Sequence, residues 1–140
     1  MVSDVLLNKV AIIERCLERV AEEYRGHEHE LETNYTRQDS IILNLQRACE
    51  AAIDAAMHLV RIRKLGIPQD SRDAFEMLCK VEIIDRQLCD RLIAMVGFRN
   101  VAVHDYRNLN MEIVVSIVEN RLGDFRDFCT ALLSQSKYRV

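Results

Sequence analysis

The segment Gly97-Phe98-Arg99-Asn100-Val101-Ala102-Val103-His104-Asp105-Tyr106 gathers a guanidinium, a carboxamide, an imidazole, a carboxylate and a phenol within eight positions. No other stretch of the chain is as dense in reactive polar side chains. An imidazole moves protons near neutral pH, and a guanidinium stays charged and grips oxyanions through a planar fork. With Arg99 as the origin of a helical wheel at ~100° per residue, Leu88, Leu92, Met95, Val96, Ala102 and Val103 lie within about 60° of it. A permanent charge in an apolar stripe requires a partner, because leaving it buried alone costs several kcal/mol. That partner is an ion pair, a phosphate or a subunit interface. Taken alone, such an arginine is more often a structural ion pair with a Glu or Asp of a neighbouring helix.

If the helix stays regular through His104, that side chain points ~140° away from Arg99, too far round to share a pocket. The helix therefore ends or bends there, or two subunits complete the site.

Other polar groups carry weaker signals. His27-Glu28-His29-Glu30 alternates potential metal ligands, yet it lies in a polar connection with no third anchored ligand, and it reads as solvated. His58 sits beside Leu59 and Val60 and reads as a hydrogen-bonded structural histidine. Arg61, Arg63 and Lys64 read as a solvated helix end favoured by the helix dipole, with a phosphate-binding stripe as the alternative. Cys16, Cys49, Cys79, Cys89 and Cys129 are odd in number, widely spaced and free of any C-x-x-C pair, so reduced core thiols are expected.

The elements that must position the cluster follow from the hydrophobic period. A length of 140 residues with 49% hydrophobic content suits one domain with one core over 1–140. One proline and four glycines leave few turn formers for an all-β architecture. A first helix starts at Ser3 or Asp4 on Val5, Leu6, Val10, Ile13, Leu17, Val20 and Ala21 and ends before Gly26. The segment 26–34 has no apolar period and reads as a polar connection. A long second helix runs from near Thr36 to about Lys64, with one stripe of Ile42, Leu45, Cys49, Ala52, Ile53, Ala56, Met57 and Val60. A second stripe of Ala48, Ala51, Ala55 and Leu59 marks it as the central helix, since small residues let neighbouring axes approach closely. A short helix starts at Asp70 or Ser71 and buries Ala74, Phe75, Leu78 and Cys79, and another starts near Asp85. A fifth follows Asn110 on Ile113, Val114, Ile117, Val118, Leu122, Phe125 and Phe128, with a bend or split expected at Gly123. About five helices on short connections predict an all-α antiparallel bundle.

No apolar run reaches the roughly 18 to 20 residues that cross a bilayer, and Met1-Val2-Ser3-Asp4 lacks the plan of a signal peptide. A cytoplasmic protein without membrane contact is expected. A net charge of -3 argues against coating nucleic acid by bulk phosphate neutralisation, so any RNA contact requires a local basic cleft.

The spacing Arg99, His104, Tyr106, with Asn100 after the arginine, resembles the R-x4-H-x-Y motif of the HepT toxins, minimal members of the HEPN superfamily. The leading Met95-Val96-Gly97-Phe98, the helix order and the helix after Asn110 extend the likeness over nearly the whole chain. The resemblance implies a two-fold dimer that cleaves RNA without a metal or other cofactor at the cleft between its subunits. It also implies a type VII toxin–antitoxin pair in which an MntA-like nucleotidyltransferase antitoxin transfers AMP to Tyr106, with a homodimer or a larger hetero-oligomer with the antitoxin as the assembly, and a tRNA target.

Within that resemblance His104 serves as proton donor or acceptor, Arg99 binds the phosphate, and Asn100 orients His104 or the phosphate. Attack by a ribose 2′-hydroxyl needs no metal and yields a 2′,3′-cyclic phosphate, and the motif lacks the paired carboxylates of a two-metal nuclease. Two facing copies supply one histidine as base and one as acid. Two rival readings remain: a non-enzymatic adaptor for the nucleotidyltransferase, and a substrate-binding subunit whose cleft holds a small molecule.

Overall fold

Helix starts in this chain are chemically marked. Ser3, Asn34, Asp70, Asp85 and Asn110 each place a side-chain oxygen on a backbone N–H two or three residues ahead. Such a cap satisfies one of the donors that a helix start leaves open and stabilises it by about 1 kcal/mol. In the computed structural model, which describes residues 2–137, these caps open α1 (Asp4–Tyr24), α2 (Tyr35–Ile62), α3 (Ser71–Lys80), α4 (Arg86–His104) and α5 (Met111–Asn120). A sixth helix, α6 (Leu122–Leu133), starts without a side-chain cap. Three short 3-10 turns cover Glu28–Glu30, Tyr106–Asn108 and Ser134–Lys137, and no strand occurs among the described residues. Met1, the first residue of the start considered as a leader, lies outside the described residues, as do 138–140.

The helical bundle expected from the sequence is the observed fold, with six α-helices among the described residues where about five were expected. The additional helix arises from a break in the last one at Arg121, whose φ of -123° and ψ of 0° leave the helical region. The break falls two residues before Gly123, and a Cβ built on Gly123 would touch nothing within 4 Å. Crowding at the glycine is therefore not the cause, and the weak helix propensity around it is the remaining local reason.

Three contacts show that α1 and α2 run antiparallel. Ser3 at the start of α1 meets His58 near the end of α2, Lys9 reaches Asp54, and Arg37 near the start of α2 bonds Glu23 near the end of α1. Helix α2 touches α1, α3, α4 and α6, which makes it the central element. Its alanines 48, 51, 52, 55 and 56 are all buried, as their two-stripe pattern predicts. One hydrophobic cluster runs from Leu6 to Leu132, with Phe75 and Phe128 edge to face at 5.6 Å between centroids.

Several readings need correction. Leu31, in the segment read as a polar connection, is buried and joins the core. Val5, Val103 and Ile113, all assigned inward, are exposed at 42%, 44% and 51%. Arg63 donates to the buried Gln135 at 2.9 Å and Arg61 to His58 Nδ1 at 2.9 Å, so the basic run is more than a solvated end. Cys16, Cys49, Cys89 and Cys129 are buried, Cys79 is half-buried, and all five are free thiols.

Replacing Gly123 by Ala should raise the unfolding midpoint, because the site has room and no positive φ; the expected gain is up to about 1 kcal/mol, or a few degrees by thermal melt.

Candidate active site

Helix α4 carries the motif because its inner side is anchored by Cys89, Leu92, Met95, Val96, Phe98 and Ala102, all buried. Arg99 lies among these residues and is half-buried. Its charge is felt by the Cys49 thiol of α2, although burial, the larger influence, pushes that thiol up to about 12. The structural ion pair, the alternative for such an arginine taken alone, is not found among the described residues. Arg99 makes no salt bridge or hydrogen bond among the described residues, and its buried Nε has no partner. Asn100 is half-buried and likewise makes no side-chain hydrogen bond among the described residues.

The helix stays regular through His104 and stops immediately after it. Asp105 N–H still bonds the Val101 carbonyl at 2.8 Å, and the Asp105 φ of -147° then turns the chain away. His104 is exposed in this last turn. In a regular helix it stands ~140° round from Arg99, so a single chain does not direct the two side chains into one pocket.

Beyond the helix end, a 3-10 turn presents Tyr106. Asn108 Nδ2 bonds Asp105 Oδ1 at 2.8 Å, and Leu109 N–H bonds the Tyr106 carbonyl at 3.1 Å. The Tyr106 hydroxyl donates to Asp39 Oδ1 on α2. Burial, followed by this carboxylate, pushes the phenol up to about 12. Asp39 was missed by sequence reasoning, because it lies 67 positions from Tyr106 and belongs to no local motif.

Beside the motif lies an apolar groove of about 380 Å³ whose lining includes Met95, Phe98, Val101, Leu109, Ile113 and Ile117. Val101 is 37% exposed at its rim.

The other histidines have local explanations. His58 accepts from Arg61 at Nδ1, which leaves Nε2 to donate to Ser3 Oγ at 3.2 Å, and burial with the Arg61 charge lowers its pKa. That is the structural role the sequence suggested. His27 pairs with Glu30 at 2.6 Å. Among the described residues the one group with metal-ligand spacing is Glu76, Cys89 and Asp90, and Arg86 already bonds all three.

A helical bundle with an arginine on the inner side of its fourth helix, a histidine five residues later and a tyrosine in the turn beyond defines a HEPN-type protein. The chain belongs to the ribonuclease HepT-like family, whose pattern it matches over residues 13–132. It is 47% identical over 133 residues to the mRNA nuclease HepT of Shewanella oneidensis, covering 95% of this chain and 99% of that protein. A tri-AMPylated Shewanella oneidensis HEPN toxin solved in complex with MNT antitoxin superposes with a TM-score of 0.90 at 46% identity, over 94% of this chain and 98% of that one. A toxin–antitoxin crystal structure with AMP-PNP gives a TM-score of 0.88 at 47% identity, over 93% and 98% of the two chains.

Changing Asp39 to Asn removes the carboxylate but leaves the burial. In a spectrophotometric titration, the Tyr106 phenol should then ionise below its present value of about 12 while remaining above the ordinary 10.

Proposed function

We propose that this chain is a metal-independent endoribonuclease, the toxin of a type VII toxin–antitoxin pair, held inactive when an MntA-like nucleotidyltransferase transfers AMP to Tyr106. The observation that carries the reading is Arg99, a permanent cation held half-buried with its Nε unpartnered among the described residues, five residues before an exposed His104 at a helix end. A charge in that position is ready for a phosphate, because desolvation strengthens its interaction with any oxyanion that enters. The name of the Shewanella oneidensis relative, an mRNA nuclease, supports the ribonuclease reading and makes mRNA the first substrate to assay, ahead of the expected tRNA. The tri-AMPylated relative in complex with MNT antitoxin, and the toxin–antitoxin structure with AMP-PNP, support neutralisation by AMP transfer.

The working unit is a two-fold dimer of one-domain chains. The exposed Val101, Val103 and Ile113 and the apolar groove beside them offer the surface for a second copy. Pairing two copies across the motif resolves the ~140° between Arg99 and His104, since each cleft is then lined from both chains. One His104 takes the proton of the ribose 2′-hydroxyl as it attacks the adjacent phosphorus. The other gives a proton to the departing 5′-oxygen, and a 2′,3′-cyclic phosphate remains. Arg99 steadies the charge growing on the phosphate, and Asn100 orients the phosphate or the imidazole. AMP on Tyr106 places a phosphate where Arg99 can hold it and a nucleoside across the RNA path. The protein acts in the cytoplasm, where both RNA and ATP are present.

Expression without antitoxin should arrest growth and degrade RNA. The Arg99→Ala variant should lose about 100- to 1,000-fold in cleavage rate, and His104→Ala about 100- to 10,000-fold. Tyr106→Phe should keep cleavage and remain toxic beside the antitoxin. Toxicity unchanged in the first two variants would indicate the adaptor instead. Transfer of AMP to a third molecule, with Tyr106 untouched, would indicate the substrate-binding subunit.

A further inference from the structure

The ribonuclease chemistry leaves Asp39 without a task. It lies on α2, outside the motif, and makes no ion pair with any Lys or Arg among the described residues. Its one side-chain partner is the hydroxyl of Tyr106, brought to it across 67 positions of sequence. The turn that carries Tyr106 is itself pinned by the Asn108–Asp105 side-chain bond, so the meeting of phenol and carboxylate is built into the fold. Tyr106 is nevertheless 41% exposed, so the residue stays accessible from solvent while its hydroxyl proton points at Asp39.

We propose that Asp39 is the proton acceptor that makes Tyr106 a nucleophile during AMP transfer, an inference that rests on reading Tyr106 as the residue modified. The Tyr106 oxygen attacks the α-phosphorus of a nucleoside triphosphate held by the nucleotidyltransferase. The new O–P bond forms as the α–β phosphoanhydride breaks, and pyrophosphate leaves with the bonding pair. The phenol proton passes to the Asp39 carboxylate and then to solvent, and nothing is oxidised or reduced.

The need for such an acceptor follows from the surroundings of the phenol. Burial and the carboxylate together push it up to about 12, so the phenol stays protonated at neutral pH. A base aligned on the hydroxyl removes the proton as the phosphorus–oxygen bond forms, and groups so placed typically contribute about 100- to 10,000-fold. The same carboxylate aims the oxygen, since a phenol tethered through its proton presents its lone pairs away from the tether. Asp39 therefore touches the reacting atom of the modification while lying outside the residues assigned to RNA cleavage.

The test uses the full-length chain with its partner nucleotidyltransferase, ATP and magnesium, following the addition of AMP by intact mass across pH 6 to 9. Wild type, Asp39→Asn, Asp39→Glu and Tyr106→Phe are compared. Asp39→Asn keeps a hydrogen-bond acceptor but not a base, so its initial rate near pH 7.5 should fall at least about 100-fold. Its remaining rate should climb close to tenfold per pH unit, because only the ionised phenol then reacts, whereas wild type should show a much shallower rise. Asp39→Glu, which restores a carboxylate, should recover much of the rate. A thermal midpoint within about 4 °C of wild type shows that the Asn variant is folded; should it not fold, the Glu variant's rate and pH profile decide, and a wild-type fold modified as slowly as an uncatalysed phenol overturns the proposal. Wild-type rate and profile in Asp39→Asn would also overturn it, leaving the contact a structural tether. AMP appearing on Tyr106→Phe at the wild-type rate would instead overturn the assignment of Tyr106 itself.

Discussion

Everything in the site depends on one constraint, a guanidinium kept half-buried against the central helix without a counter-ion among the described residues. The chain's other partly buried arginines show what usually happens. Arg37 is held by Glu23, Arg91 reaches Asp124, and Arg63 bonds Gln135. Arg19 likewise pairs with Glu22 and Glu23, so of these five Arg99 alone has no partner among the described residues, although its Nε is already out of water. Such a group lowers stability in the empty protein and gains most when an oxyanion arrives. The bundle tolerates it because α4 is anchored by the apolar side chains around it, and because α2 offers alanines that bring the helices close.

The second constraint is where α4 ends. A regular helix to His104 followed at once by a turn places the imidazole in solvent and swings Tyr106 back over α2, where Asp39 receives it. In the proposed function, catalysis and its control thus share one helix terminus. In that proposal Arg99 and His104 serve the RNA, while Tyr106, a few residues on, is tethered to Asp39, a carboxylate that the proposed cleavage does not use.

Much of the fold was legible because its signals are local. Caps at Ser3, Asp70, Asp85 and Asn110, and the alanine stripes of α2, need only neighbouring residues to be read. The motif was legible for the same reason, all its members lying within eight positions. Val103 and Ile113 were assigned inward because an apolar period does not distinguish a core from a surface awaiting a partner. The break at Arg121 was placed two residues late, since a glycine marks weak helix without fixing where the turn falls. Asp39 and Arg91–Asp124 were not legible at all, because each depends on which helices meet.

The central claim, that two chains complete one site, is tested most directly by dilution. RNA cleavage per chain should be measured across a wide range of protein concentration, with the oligomeric state followed by sedimentation in the same buffer. The account predicts that specific activity falls in step with the dimer fraction and vanishes for the monomer. Constant specific activity down to concentrations where only monomer sediments would contradict it, and would require Arg99 and His104 to meet within one chain.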